Sequence, residues 1–433
     1  MSTPDRPGGT EAGPWVSCGR RRLPVERADA FEAPATLPAV EDLEQAVARG
    51  LAEPVASASL RRLADGARRV VVTIPDASRP CPNPVVLRRL LAELNGAGVP
   101  DDGIAVAVGC GLHATTSEAE RRRLAGEHTA ARVDVYDAQG LESVVADLGS
   151  TSLGAPVRIE RRVASADLVV SVGVLEPHLY AGFSGGVKGV AIGCAGHETI
   201  AWTHRPAFIS SAGVALGALE GNPFQQTLRE VAARTPLRYA VNAVMDERGQ
   251  ASAIAAGDPV AVQTALALAH RAAWLRPVDG PFDVLVAGVH APKSDNFYQA
   301  SRAATYAGLA ARPAVSRGGL IVVCADTPDG AGTGPGERNF AAVLAETSPD
   351  DLVARGLCEP LGPGGQRAFV VARVLQRYRL AVVGAADPAF LEPLGVAAFD
   401  SVDAALAVED ARLGHRARVL AVADATATVV HAR

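Results

Sequence analysis

Short unbroken apolar runs alternate along the chain with stretches in which apolar residues return every third or fourth position. The runs are too short for helices and lack the polar alternation of half-exposed strands, so they read as strands buried on both faces. That alternation predicts an α/β fold with mainly parallel sheets. The clearest strands are Arg69-Val-Val-Val-Thr-Ile74, Gly103-Ile-Ala-Val-Ala-Val-Gly109 and Asp167-Leu-Val-Val-Ser-Val-Gly173. Helices are predicted over 84–94, after Ser117-Glu-Ala-Glu120, which fits a capping box, and over 259–274. Leu237 to Met245 reads as one arm of a hairpin turning at 246–249.

Pro and Gly interrupt the pattern at Leu275-Arg-Pro-Val-Asp-Gly-Pro281, which is the expected linker. A second set of units follows, with strands at 282–287, 320–324 and 380–383 and helices at 298–310 and 365–377. The expected organisation is two α/β domains facing a cleft, one over 1–277 and one over 278–413. A last strand at 418–422 makes 414–433 a candidate completion of the first domain. At 433 residues, each domain can bury its own core.

Composition narrows the function. Ala, Val, Leu and Gly dominate and only 4% of residues are aromatic, which suits helices packed closely on a sheet. A net charge of −5 without a clustered basic face argues against nucleic acid as a partner. Arg20-Arg21-Arg22 and Arg121-Arg122-Arg123 read as solvated surface. The polar, Pro/Gly-rich start lacks the apolar core of a signal peptide, and no run reaches membrane-spanning length. The six cysteines are scattered without CxxC spacing, so the expectation is reduced thiols in a cytoplasm.

Chemistry concentrates in three clusters, each just after a buried strand. Ligands bind outside the carboxyl ends of strands in open α/β sheets, so the three are expected to converge. The first is Asp76-Ala-Ser-Arg-Pro80, where Asp76 and Arg79 can pair and the Arg79 fork suits a carboxylate or phosphate. In the second, Gly109-Cys-Gly-Leu-His-Ala-Thr-Thr116, glycines permit close approach and His113 can move protons near neutral pH. The third is Glu176-Pro-His-Leu-Tyr-Ala-Gly-Phe-Ser-Gly-Gly-Val-Lys188. Its Ser184-Gly185-Gly186 run reads as an anion cradle, without the spacing of a P-loop. Lys188 is either a surface cation or a desolvated amine able to carry a covalent cofactor. His178 precedes it and His204 follows it; imidazole suits nickel, copper or zinc, but one histidine cannot hold a metal alone.

Asp-x-x-Arg-Pro, Gly-x-His-x-x-Thr, Glu-Pro-His-x-x-Ala-Gly-Phe-Ser-Gly-Gly-x-Lys and the later His204 resemble, in order and spacing, the lactate racemase family. The similarity runs over about 20–430. It implies an isomerase that inverts C2 of a 2-hydroxy acid, lactate or a larger one, with a nickel-pincer nucleotide tethered to a lysine. By motif position Lys188 is the tether, with Ser184, Gly185, Gly186 and Asp76 beside the cofactor, and His204 is the nickel ligand. The cofactor supplies the other nickel donors. The resemblance further implies hydride transfer at C2, His113 and His178 as the acid/base pair, and Arg79 as the carboxylate ligand. Cofactor-synthesis enzymes are the implied loading partners.

In the second domain Phe297-Tyr-Gln-Ala-Ser-Arg302 matches a Tyr-Gln-x-x-Lys pattern, giving Tyr298, Gln299 and Arg302 as substrate contacts. Arg302 stands where the family has lysine, so a planar fork replaces a point charge. Ile192 stands where many relatives have proline, and Leu361-Gly-Pro-Gly-Gly-Gln366 is a Gly-rich loop near the expected substrate side chain. A nicotinamide-type 2-hydroxy acid dehydrogenase would need GxGxxG after the first strand, and the Asp76 turn has no glycine. The other alternative is a non-catalytic cofactor-binding homologue, against which stands the retention of Lys188, His204 and both histidine bases.

Overall fold

The computed structural model describes residues 13–34, 36–111, 115–139, 144–246 and 248–433. The chain divides into two compact units, Ala35–Leu275 with Gly356–Pro360, and Met1–Pro34 with Arg276–Arg355 and Leu361–Arg433.

The first unit is built on β1 (Val70–Pro75), β2 (Ile104–Gly111), β3 (Asp134–Gln139), β4 (Leu168–Val174), β5 (Leu237–Met245) and β6 (Ala251–Gly257). Their order in the sheet is β6-β5-β4-β1-β2-β3. All neighbours are parallel except the β5–β6 hairpin, whose turn after Met245 lies where the sequence puts it. The order reverses between β1 and β4, which are adjacent in the sheet but separated in the chain by β2 and β3. That break is where a doubly wound sheet opens a crevice at its carboxyl edge.

The two faces of this sheet differ in chemistry. Val70, Val72, Ile74, Val106, Val108, Val170 and Val172 pack with Val86, Leu87, Leu90, Leu91 and Leu94 of the helix Asn83–Gly96, forming a continuous apolar core. On the other face Thr73, Ser171 and Asn242 are buried polar residues on the neighbouring strands β1, β4 and β5. Polar groups buried inside apolar strands need partners. Those of Ser171 and Asn242 face the segment that carries Lys188.

The second unit holds an eight-stranded sheet whose main path runs Ala397–Phe399, Arg379–Val383, Val315–Cys324, Phe282–His290. Three expectations differ here. Val419–Val422 pairs in parallel with Phe282–His290 and with Ala30–Glu32, not with the first unit. Trp15–Gly19 pairs with the far end of Phe282–His290, so the chain's early strands also belong to this unit. The expected linker contains a strand, Leu275–Val278, paired with Val429–Ala432. Strand partners this distant in sequence leave no local signature, because the pairing is decided by which apolar edge remains open.

Candidate active site

Arg79 and Glu176 meet across the β1/β4 break. After β1 the chain turns on itself: Asp76 Oδ1 accepts from Ser78 N (3.1 Å) and Ser78 Oγ (2.6 Å), and Arg79 N donates to Asp76 O (3.2 Å). The turn carries Arg79 toward the end of β4, where its Nη1 pairs with Glu176 Oε1. The sequence pointed to Asp76 as a partner for Arg79; the guanidinium forms an ion pair with Glu176. The two side chains keep 26% and 36% of their surface exposed, so the pair lies at a solvent-facing rim.

The Ser184-Gly185-Gly186 run is a clasp, and this changes its reading. Ser184 Oγ donates to Val174 O (2.7 Å) and accepts from Glu176 N (2.9 Å), while Ser184 N donates to Glu176 O (2.9 Å). Gly186 N donates to Asn242 Oδ1 (2.7 Å), so that amide is already occupied. Gly185 and Gly186 both have positive φ, and a Cβ on them would lie 2.8 Å from Asn242 Oδ1 and 2.9 Å from Pro259 O. Glycine is required here by close approach to β5 and the helix Pro259–Trp274. The sequence assigned these glycines to an anion, but a glycine-rich run does not say whether backbone or ligand comes near. Gln263, fully buried, completes the clasp by donating from Nε2 to Ser184 O (3.0 Å).

The clasp delivers the chain onto the polar face of the sheet. The short helix Lys188–Ala191 lies there through two more glycines. A Cβ at Gly189 would come within 2.5 Å of Ser171 Oγ, and one at Gly193 within 3.2 Å of Gly109 Cα. Ile192 N donates to Lys188 O (3.0 Å), a bond that proline at this position could not make. Lys188 is thereby seated, half-buried, over strands whose carboxyl ends carry the Asp76 and Glu176 turns.

His204 ends the helix His197–His204. Its Nδ1 lies 3.0 Å from Ile200 O, and a carbonyl only accepts, so Nδ1 carries the proton and Nε2 keeps its lone pair. The ring packs edge-on to Tyr180 and Phe224, at 5.8 and 5.4 Å between centroids. Burial pushes its pKa down to about 4, and the Lys188 ammonium adds to the shift. His204 is therefore a neutral imidazole at physiological pH with Nε2 available as a ligand.

This state has a thermodynamic signature. The folded pKa lies below the unfolded value near 6.5, so the unfolded chain binds this proton first as pH falls. Stability should therefore decline from about pH 6.5 toward pH 4 in the cofactor-free chain. Urea titrations of cofactor-free His204→Gln should show a shallower decline over that window; an unchanged slope would contradict the assigned environment.

His178 has the opposite tautomer. Its Nδ1 faces the backbone N–H groups of Tyr180 (3.3 Å) and Ala181 (3.2 Å) and accepts from both, so in the neutral ring the proton is on Nε2. Tyr180, which the sequence reading passed over, stands edge-on to both His178 and His204 at 5.8 Å. Buried Asn222 holds that loop by donating to Tyr180 O (2.8 Å) and Ala218 O (3.0 Å). The structure thus brings Asp76, Arg79, His178, Lys188 and His204 to one side of one unit. His113 lies outside the described residues, just beyond the end of β2.

Two models of known domains match the chain: the lactate racemase N-terminal domain over residues 21–217 and the lactate racemase C-terminal domain over 282–430. The chain belongs to the lactate racemase family. Lactate racemase of Lactiplantibacillus plantarum is 27% identical over 393 residues, covering 89% of this chain and 91% of that protein. Lactate racemase of Thermoanaerobacterium thermosaccharolyticum is 27% identical over 348 residues, covering 78% and 79%. The lactate racemase apoprotein structure from the latter organism superposes with a TM-score of 0.87 at 23% identity, covering 97% of this chain and all of that one. A Thermotoga maritima protein of solved structure gives 0.66 at 15% identity, covering 90% and 98%. The mixed α/β architecture with mainly parallel sheets is that of the lactate racemase fold.

In the part matched by the lactate racemase C-terminal model, Tyr298, Gln299 and Arg302 lie on the helix Phe297–Gly308, which follows the strand Phe282–His290. Asn296 caps that helix by accepting from Gln299 N (2.9 Å). The Gly-rich 361–366 loop is tied down by Asn339, whose Nδ2 donates to Leu361 O (2.9 Å) and Pro363 O (2.8 Å). It leads into Arg367, whose guanidinium lies 5.8 Å from the Tyr298 ring centroid. Glu176 and Tyr180 stand inside the third motif without an assigned role, and Arg367 lies just beyond the Gly-rich loop.

Proposed function

We propose that this chain inverts C2 of a 2-hydroxy carboxylic acid, lactate or a larger one, as a nickel-pincer racemase or epimerase. The observation carrying the proposal is the pairing of a half-buried Lys188 with a neutral His204 whose Nε2 lone pair is available. Among the described residues no group of three His, Cys, Asp or Glu side chains could hold a metal, so His204 would be a single protein ligand. That donor set fits a metal arriving with most of its ligands on a tethered organic group. When bound, the lysine-tethered nickel nucleotide supplies a reversible acceptor for the C2 hydrogen and its bonding electrons.

The chain's own residues do the rest. The Lys188 amine would form the tether and His204 Nε2 would hold the nickel. The Arg79 fork takes the substrate carboxylate, and its place at the solvent-facing rim supports this. His178 and His113 are the proposed acid/base pair; His178 donates from Nε2–H in the tautomer its neighbours favour, and it serves as base at Nε2 once its proton sits on Nδ1 and the Tyr180 and Ala181 amides release that nitrogen. One histidine takes the 2-hydroxyl proton while the other returns one on the opposite face, so each turnover uses both. Tyr298, Gln299 and Arg302 are the proposed substrate contacts of the second unit. Cofactor-synthesis enzymes would load Lys188 in the cytoplasm, a reducing setting consistent with six free cysteines. No helix among the described residues is long and apolar enough to cross a membrane.

The test is to produce the chain with cofactor-synthesis enzymes and supply single enantiomers of lactate, malate, an aromatic lactate and a sugar acid. Chiral chromatography should show inversion of at least one, dependent on nickel. Full activity in nickel-free protein, or no inversion of any acid by nickel-loaded protein, would refute the reading.

A further inference from the structure

We propose that Glu176 is a positioning residue that fixes the Arg79 fork for a substrate carboxylate, an inference that rests on the reading of Arg79 above. Glu176 is held with unusual firmness for a residue at a strand end. Its N–H donates to Ser184 Oγ (2.9 Å) and its C=O accepts from Ser184 N (2.9 Å). The same Ser184 hydroxyl, 2% exposed as a residue, is itself anchored on Val174 O (2.7 Å). The backbone of Glu176 is thus pinned on both sides to β4, and its carboxylate projects across the sheet break to Arg79 Nη1.

An arginine on a turn has many rotamers, and only some present the planar fork to a given carboxylate. Asp76 and Ser78 shape the backbone of the Arg79 turn. Glu176 supplies what the turn does not, a fixed point for the guanidinium plane itself. It engages one nitrogen, and the fork has five N–H donors, so others remain for a second carboxylate. An ion pair this exposed contributes little to stability. Its consequence lies in orientation, because a carboxylate bound in one pose places C2 and its oxygen in one position. Glu176 also offsets the Arg79 charge, so a residue that only competed with substrate would weaken binding. The two roles predict opposite signs.

The experiment is a double-mutant cycle in cofactor-loaded protein, with whichever acid of the panel above is inverted fastest. Glu176→Gln keeps the backbone clasp and removes the charge; Glu176→Asp keeps the charge but withdraws it by one methylene from a pinned backbone. Both should raise KM by about tenfold or more and leave kcat within about threefold. Arg79→Ala should raise KM at least as much, and the Arg79→Ala/Glu176→Gln double variant should match Arg79→Ala alone. If Arg79→Ala leaves KM unchanged, the carboxylate reading of Arg79 falls and this inference with it. If Arg79→Ala raises KM but Glu176→Gln lowers it or leaves it unchanged, only the positioning role falls. Additive effects in the double variant would equally overturn it, since Glu176 would then act independently of Arg79.

Discussion

Replacing Lys188 by alanine should abolish both the covalent adduct and inversion, which makes it the largest single effect expected in this protein. Intact mass of wild-type chain made with cofactor-synthesis enzymes should exceed the sequence mass by one adduct, and digestion should map it to Lys188. The Lys188→Ala chain should show the bare mass, no turnover and a nearly normal fold. The fold should survive because Gly189 and Gly193, not the lysine side chain, set the contact between the Lys188–Ala191 helix and the sheet. Lys188→Arg is a stricter form of the experiment: it restores a cation without a nucleophilic amine, so it should remain unmodified and inactive. Wild-type mass equal to the bare sequence, together with full activity, would remove the cofactor assignment.

Loss of His178 should be nearly as costly. Taking one proton-transfer group from a positioned site slows reaction by ~10²–10⁴-fold. The proposed mechanism uses both histidines in each turnover, so His178→Gln should slow inversion of both enantiomers, although glutamine can still donate a hydrogen bond. A histidine that merely packs predicts another outcome, reduced stability with near-normal turnover by the protein that remains folded. Substrate deuterated at C2 adds an independent check. Return of the label to C2 in both enantiomers is expected, whereas complete washout into water would overturn hydride transfer whatever the variants show. The Nε2–H tautomer of His178, set by the amides of Tyr180 and Ala181, should be visible by nitrogen NMR of the ring in the cofactor-free chain.

Much of the fold was legible because buried parallel strands announce themselves. The strands at 70–75, 104–111 and 168–174 and the helix Pro259–Trp274 follow the apolar periodicity closely. The early strand Trp15–Gly19 and the helix Val402–Leu413 were not read, and both pack in the second unit. A short strand carries too few residues for a period to stand out.

The sequence alone determined the α/β class, the family motifs and the strand ends that carry them, since these depend on local periodicity and spacing. Tertiary structure decided what surrounds each residue of those motifs. Arg79 meets Glu176 because β1 and β4 are neighbours across the break in strand order, a fact no local pattern contains. Ser184, Gly185 and Gly186 serve the loop's own backbone, because Asn242 and Gln263 arrive from elements far along the chain. His204 is held neutral by burial and the Lys188 charge, while its bond to Ile200 O places the ring proton on Nδ1. The polar residues Thr73, Ser171 and Asn242 in otherwise apolar strands were the one sequence signal of that buried polar face. Which groups met them depended on sheet order, because pairing between distant strands is selected by the whole packed core.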